Sequence, residues 1–253
     1  MKMKYSFLKF WSVILILGAT VFITSCEYEN SSPGRVRVTF EATFKGQPFI
    51  IGSQYDDELG NIMQINTFMS YFSMLQVVRQ DDSKELIRDF ALVNFNGKPS
   101  FELEMESGDM KGIEFNIGIP KAYNKDVDPT TYPNSHPLSV QGSQGMFWHW
   151  NTGYIFTKFE GMADTTGTGT ALEHPFAFHI GDDPMFRVLP ATQSFSLEPG
   201  EVKDIRIIVQ VDKILKSESD EIDLATDYLT HTSGNIELAT RFMNNFKNAI
   251  IIQ

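Results

Sequence analysis

One cysteine in 253 residues, Cys26, excludes an internal disulfide whatever compartment the chain occupies. Positive charge is scarce as well. The 21 Lys and Arg stand against 32 Asp and Glu, for a formal net charge of -11, and no basic cluster follows residue 25. Duplex binding needs clustered Lys and Arg to displace counterions, which argues against nucleic acid as a partner. The signatures of common enzyme chemistry are also missing: there is no His-Glu-x-x-His, no Gly-x-Ser-x-Gly, no phosphate-binding glycine loop and no dinucleotide fingerprint. The acids are scattered, which neither excludes nor locates a glycosidase pair. The chain does not read as an enzyme.

What is present begins with Met-Lys-Met-Lys-Tyr-Ser-Phe-Leu-Lys, a short basic stretch, followed by an apolar run from Phe10 to Ile23 and then Thr24-Ser25-Cys26. The run is short for a membrane span, and small residues directly before a cysteine suit a processing site, so residues 1–25 are expected to be an export signal. The pattern resembles the lipobox of bacterial lipoproteins, which implies cleavage before Cys26 and a lipid on its sulfur. The folded part is then expected outside the cytoplasm, periplasmic or surface-exposed. Residues 26–34 form a polar tether, and 35–253 a single domain. Loss of Lys2, Lys4 and Lys9 with no acid takes the charge from -11 to -14, a balance that attracts cations and favours solubility.

Within the domain, Val36, Val38, Phe40, Ala42 and Phe44 alternate with Arg35, Arg37, Thr39, Glu41 and Thr43, which predicts a strand with one buried face. Asn66 to Val78 reads as another extended run. Phe101, Leu103 and Met105 alternate with glutamates, as do Ile113, Phe115, Ile117 and Ile119 with polar residues and Gly118, and the pair is expected to form a hairpin across Ser107 to Gly112. Pro120 to Gly145, with four prolines and no periodicity, reads as a long surface loop. A loop over Met162 to Leu172, strands over Pro175 to Ile180 and Ile205 to Val211, and an amphipathic helix from Asn235 to Ala249 complete the pattern. The fold class expected is all-β: an antiparallel β-sandwich with long loops and a short C-terminal helix.

The densest chemistry lies in Gly145-Met-Phe-Trp-His-Trp150, which holds two of the three tryptophans. In a regular strand Met146, Trp148 and Trp150 share one face and Phe147, His149 and Asn151 the other. The same rule sets Ala177 and His179 opposite a core face of Phe176, Phe178 and Ile180. If the two strands are neighbours, two imidazoles approach each other beside an indole, a donor set suited to Cu(I). Met146, Met162 and Met185 are thioethers within sequence reach, and His231 is a possible distant ligand. Zinc is less attractive, because no third ligand stands at a usual spacing. His136 and His174 precede prolines and read as loop structure. Asn124, Asp126 and Asp128 have the spacing of an oxygen-ligand loop for calcium, without the glycine and distal glutamate of an EF-hand. Two other readings stay open: exposed Trp and Tyr faces that stack on glycans or a protein partner, and an aromatic string that is simply core.

Taken in order, Phe115-Asn-Ile-Gly-Ile-Pro120, Asn124, His136-Pro-Leu138, Gly145-Met-Phe-Trp-His-Trp150, Gly153-Tyr-Ile-Phe156, Glu160-Gly161 and Phe178-His-Ile-Gly181 resemble the MbnP-like copper-binding domain over nearly the whole mature chain. The resemblance implies a surface or periplasmic β-sandwich. It also implies copper held by two histidines with a tryptophan oxidised to kynurenine by a dihaem partner enzyme of the MauG type. Carried across, His149 and His179 are the imidazoles and Trp148 or Trp150 the oxidised residue. One departure stands out: the family's modified tryptophan lies two residues before a histidine, whereas here His149 sits between two indoles.

Overall fold

The computed structural model describes residues 32–57, 59–149, 153–168, 171–218 and 220–253, with the backbone alone at His149. The expected export signal, Cys26, most of the tether and Trp150 lie outside the described residues. Among the described residues no helix is long and apolar enough to cross a membrane.

The chain runs through β1 (Gly34–Phe44), β2 (Gln47–Pro48), β3 (Gln54–Asp56), β4 (Ile62–Arg79), β5 (Lys84–Asn94), β6 (Ser100–Met105) and β7 (Gly108–Ile117). A short helix α1 (Lys121–Asn124) opens the long loop, which ends at β8 (Phe147–His149), β9 (Gly153–Asp164) and β10 (His174–Gly181). Then come β11 (Arg187–Thr192), β12 (Phe195–Leu197), β13 (Val202–Gln210), α2 (Val211–Leu215), β14 (Leu229–Thr230), α3 (Ile236–Asn248) and β15 (Ile250–Ile252). The loop expected from Met162 begins only after Asp164, because β9 continues to that residue.

A five-stranded sheet, ordered β15-β13-β1-β2 with β6 also on β1, faces a ten-stranded sheet ordered β11-β7-β4-β9-β10-β14, to which β3, β5, β8 and β12 add. This is the all-β sandwich that the alternation predicts. Pairing is antiparallel except at β1 with β13 and β10 with β14, which run parallel. In β1 the alternation is realised residue by residue: Val36, Val38 and Phe40 are fully buried, while Arg37 faces out and pairs with Glu102 at 2.6 Å and Asp204 at 3.0 Å.

The expected hairpin across 107–112 does not form. Both runs are strands, but β6 pairs with β1 in the smaller sheet and β7 with β4 and β11 in the larger, so the chain arches from one sheet to the other. Charge explains the choice: β6 sets Glu102 opposite Arg37 and Glu104 opposite Arg35, cross-strand partners that the glutamate-bearing β7 would not supply. An arch also lets both apolar faces meet in the single space between the sheets.

Phenylalanine fills that space. Phe40 of the smaller sheet packs on Phe72 of the larger with ring centroids 4.5 Å apart, and α3 closes one end, Phe242 stacking on Phe178 at 5.0 Å and Phe246 meeting Phe68 at 5.7 Å. The helix starts where the sequence predicts, with the Asn235 side chain accepting from the Leu238 amide. Its buried Leu238, Ala239, Phe242, Met243 and Phe246 fall at helical spacing. Its outer face is not idle, since Arg241 clamps Asp220 and Asp227 and so fastens the segment that leads into β14.

Candidate metal centre

The outer face of the larger sheet carries the site. Along β9, Phe159 is buried while Lys158 and Glu160 point away from the core, and along β10 Phe178 is buried while Ala177 and His179 point away. The antiparallel register sets His179 opposite Lys158 and Ala177 opposite Glu160. Glu160 is thus the diagonal neighbour of His179, and its Oε1 lies 2.5 Å from His179 Nε2. Lys158 Nζ is 3.6 Å from the same oxygen.

Burial lowers the pKa of His179, against the raising effect of Glu160, so the ring is neutral at pH 7. Burial alone would raise Glu160, but the His179 hydrogen bond, Lys158 and a hydrogen bond from Thr67 hold it below its ordinary value.

His231 arrives from the far end of the sequence. β14 adds to β10 in parallel, Phe178 opposite Thr230, which sets the residue after Thr230 beside His179. The two imidazole centroids are 4.9 Å apart at 76°. Trp148 of β8 lies 6.2 Å from His179 and 6.0 Å from His231, half-buried against the pair and not exposed as a flat platform. Two imidazoles and an indole therefore converge, and the histidine that sequence could not locate is one of them.

The start of β9, which pairs with the strand that carries Trp148, is fixed by close packing. Gly153 has φ +72°, and a Cβ there would collide with the backbone and side-chain oxygens of Asn124. Asn124 Oδ1 accepts from the Tyr154 amide at 3.0 Å, and its amide donates to Asp183. Tyr154 and Tyr71 reach up to the long loop, their hydroxyls donating to the Leu138 and Pro137 carbonyls at 2.5 and 2.7 Å. Burial raises both phenol pKa values, so they stay protonated donors.

The remaining sequence candidates fall as follows. β8 pairs Phe147 with Tyr154 and His149 with Gly153, and the register slips between them, so simple alternation of faces ends there. The His149 side chain and Trp150 lie outside the described residues. Met146 and Met185 are buried in the core, whereas Met162 stands on β9 two places beyond Glu160. His136 stacks on Tyr132 at 4.4 Å and accepts from the Leu138 amide, as loop structure, whereas His174, expected in a loop, opens β10 opposite Ala163 and lies edge-on to Tyr228. Of the oxygen-ligand run, Asn124 accepts from the start of β9 and Asp128 caps a short helical turn through Thr130. Among the described residues no three His, Cys, Asp or Glu side chains gather as a metal cluster.

Sequence reasoning missed Glu160, Asn124 as a staple, and the threonine at 232 that seats His231. The period-two pattern of Lys158, Phe159 and Glu160 was signal enough to place Glu160 on the outer face, but not to show which histidine it meets.

Comparison with known proteins gives a family model, MbnP, matching residues 33–236, a span that contains β8, β10 and His231. Among solved structures the chain is similar to MbnP from Methylosinus trichosporium, with 17% identity over 76% of this chain and 80% of that one, at a TM-score of 0.49. No curated protein matches.

Proposed function

This chain belongs to the MbnP family, and on that premise we propose that it is a copper-binding protein of the cell envelope, held to the membrane by a lipid on Cys26, that takes up or sequesters the ion outside the cytoplasm. The observation that carries the reading is the approach of the His179 and His231 rings to 4.9 Å beside Trp148. Two imidazoles on one tetrahedral ion, with metal–nitrogen bonds of about 2 Å, have ring centroids about 5 Å apart. The spacing suits a shared ion.

Cu(I) accepts borderline and soft donors, so an imidazole pair with a third donor from the 146–150 segment is a sufficient set. His149 is that third donor by sequence. The half-buried indole limits access of water and oxidant to the rings. Bound Cu(I) supplies a soft Lewis-acid centre, while the protein's own residues bind it, orient it and shield it. The chain acts as a carrier, not an enzyme. Trp148 and Trp150 are the indoles on which a dihaem partner enzyme of the MauG type would act.

Calorimetric titration of the metal-free full-length chain in detergent with Cu(I) tests the reading. One saturable site, weakened by His179→Ala and by His231→Ala, is expected. A wild-type chain without saturable binding sinks it.

A further inference from the structure

Glu160 is the charged residue nearest the imidazole pair, and copper binding as proposed gives it no task. Three observations define one. The diagonal register of β9 and β10 sets its Oε1 2.5 Å from His179 Nε2, with the two side chains 29% and 17% exposed. Lys158 Nζ stands 3.6 Å from that same oxygen, an arrangement that suits a carboxylate anion. A carboxylate anion only accepts hydrogen bonds, so the proton in the contact belongs to Nε2.

We propose that Glu160 is a positioning residue, which holds His179 as the tautomer protonated on Nε2 and leaves the lone pair of Nδ1 to meet the ion. The assignment rests on the copper reading for its purpose and on the hydrogen bond for its geometry. A neutral imidazole has one N–H and one lone pair, so fixing the first fixes the second. Among the described residues no hydrogen bond reaches Nδ1, and the ring of His231, the residue that follows β14, lies 4.9 Å from that of His179. The carboxylate also restrains the ring about its side-chain torsion, so that less rotational freedom is lost when a ligand binds. Metal-bound imidazoles commonly donate their second nitrogen in this way, and loss of such a partner typically costs 10–100-fold in affinity.

The test separates this from a structural role. Nitrogen-15 spectra of the metal-free full-length chain in detergent are expected to show Nε2 of His179 protonated, with a slowly exchanging proton, and Nδ1 unprotonated. In Glu160→Ala the slow exchange is lost, and Cu(I) affinity falls about 10–100-fold. Glu160→Gln, whose amide oxygen still accepts, recovers most of both. On loading wild-type protein with Cu(I) the Nε2 proton persists.

Protonation at Nδ1 in the wild type overturns the proposal. So does a folded Glu160→Ala chain that binds Cu(I) as tightly as wild type, and so does loss of the Nε2 proton on loading, which would make Nε2 or Glu160 itself a ligand. Absence of wild-type Cu(I) binding overturns the copper reading instead, and the nitrogen spectrum of the metal-free chain still decides the tautomer.

Discussion

Thr232 is pinned to Gly181: its Oγ1 accepts from the Gly181 amide at 2.9 Å and reaches the His179 carbonyl at 3.4 Å. It does so in a left-handed backbone, φ +55°, that a β-branched residue rarely adopts and that costs about 1–3 kcal/mol. The hydroxyl offsets that strain, and the residue before it is His231. Thr232→Val keeps the strain and loses the tie. It is expected to lose about 1–3 kcal/mol of stability, whereas Thr232→Gly, which relieves the backbone, loses less. Urea denaturation ranks the two, and proton contacts between the His179 and His231 rings should weaken in both. A Thr232→Val chain as stable as wild type would mean that the hydroxyl holds nothing.

Removal of a ligand should cost more than removal of a group behind it. His231→Ala is expected to lower Cu(I) affinity by more than about a hundredfold, as is His179→Ala, since outer partners alone typically contribute 10–100-fold. His136→Ala, a loop residue stacked on Tyr132, should leave the affinity unchanged. Competition against a Cu(I) chelator gives all three values, and a His231→Ala chain that competes like wild type removes His231 from the site.

The pH dependence follows from two lowered values. His179 titrates below its ordinary 6.5 in the fold, so the unfolded chain takes up a proton first as pH falls. Its contribution to stability is therefore complete above about pH 6.5 and is lost as pH drops through the folded value. Glu160, lowered from 4.5, has the same sign in a more acidic window. Stability of the metal-free protein should fall from pH 7 toward 4, and His179→Gln should flatten the upper part of that slope. An NMR titration midpoint for His179 above 6.5 would contradict the sign.

Gly153→Ala places a methyl group against the oxygens of Asn124 in a backbone with φ +72°. A loss of more than about 1 kcal/mol is expected, with a red shift of tryptophan emission as the pairing of β8 with β9 beside Trp148 loosens. Asn124→Ala, which frees the space but orphans the Tyr154 amide, should also destabilise. If Gly153→Ala melts like wild type, the contact with Asn124 does not hold the start of β9.

In the core, Phe242→Ala removes a ring that meets Phe159, Phe178 and Phe246. It should cost about 3–5 kcal/mol by urea denaturation. A loss under about 1 kcal/mol would mean that α3 is peripheral.

The strands were legible in proportion to their one-sidedness. β1, β7, β10 and β13 each have one apolar face, and period two is a local signal that survives whatever the partner strand is. Pairing is not local. That Ser100 to Met105 joins β1 and not its neighbour in sequence depends on Arg35 and Arg37, which stand far earlier in the chain. β5 was not read, since Lys84 to Arg88 alternates weakly and only Phe90, Ala91 and Val93 are buried. In the site, His179 was placed by its strand. The position of His231 depends on a two-residue strand and one threonine hydroxyl, which leave no periodic trace.

β1 lies inside the smaller sheet, matched in parallel from Arg35 to Thr43 with Val202 to Gln210. β1 meets β2 and β6 early, but its β13 edge waits for residues more than 150 positions later, with some of the longest loops in the fold to close first. Such non-local topology folds slowly. The sheet holding β1 is expected to assemble fully only once residue 210 has been made, so a nascent chain truncated before residue 202 should stay unlocked and open to protease.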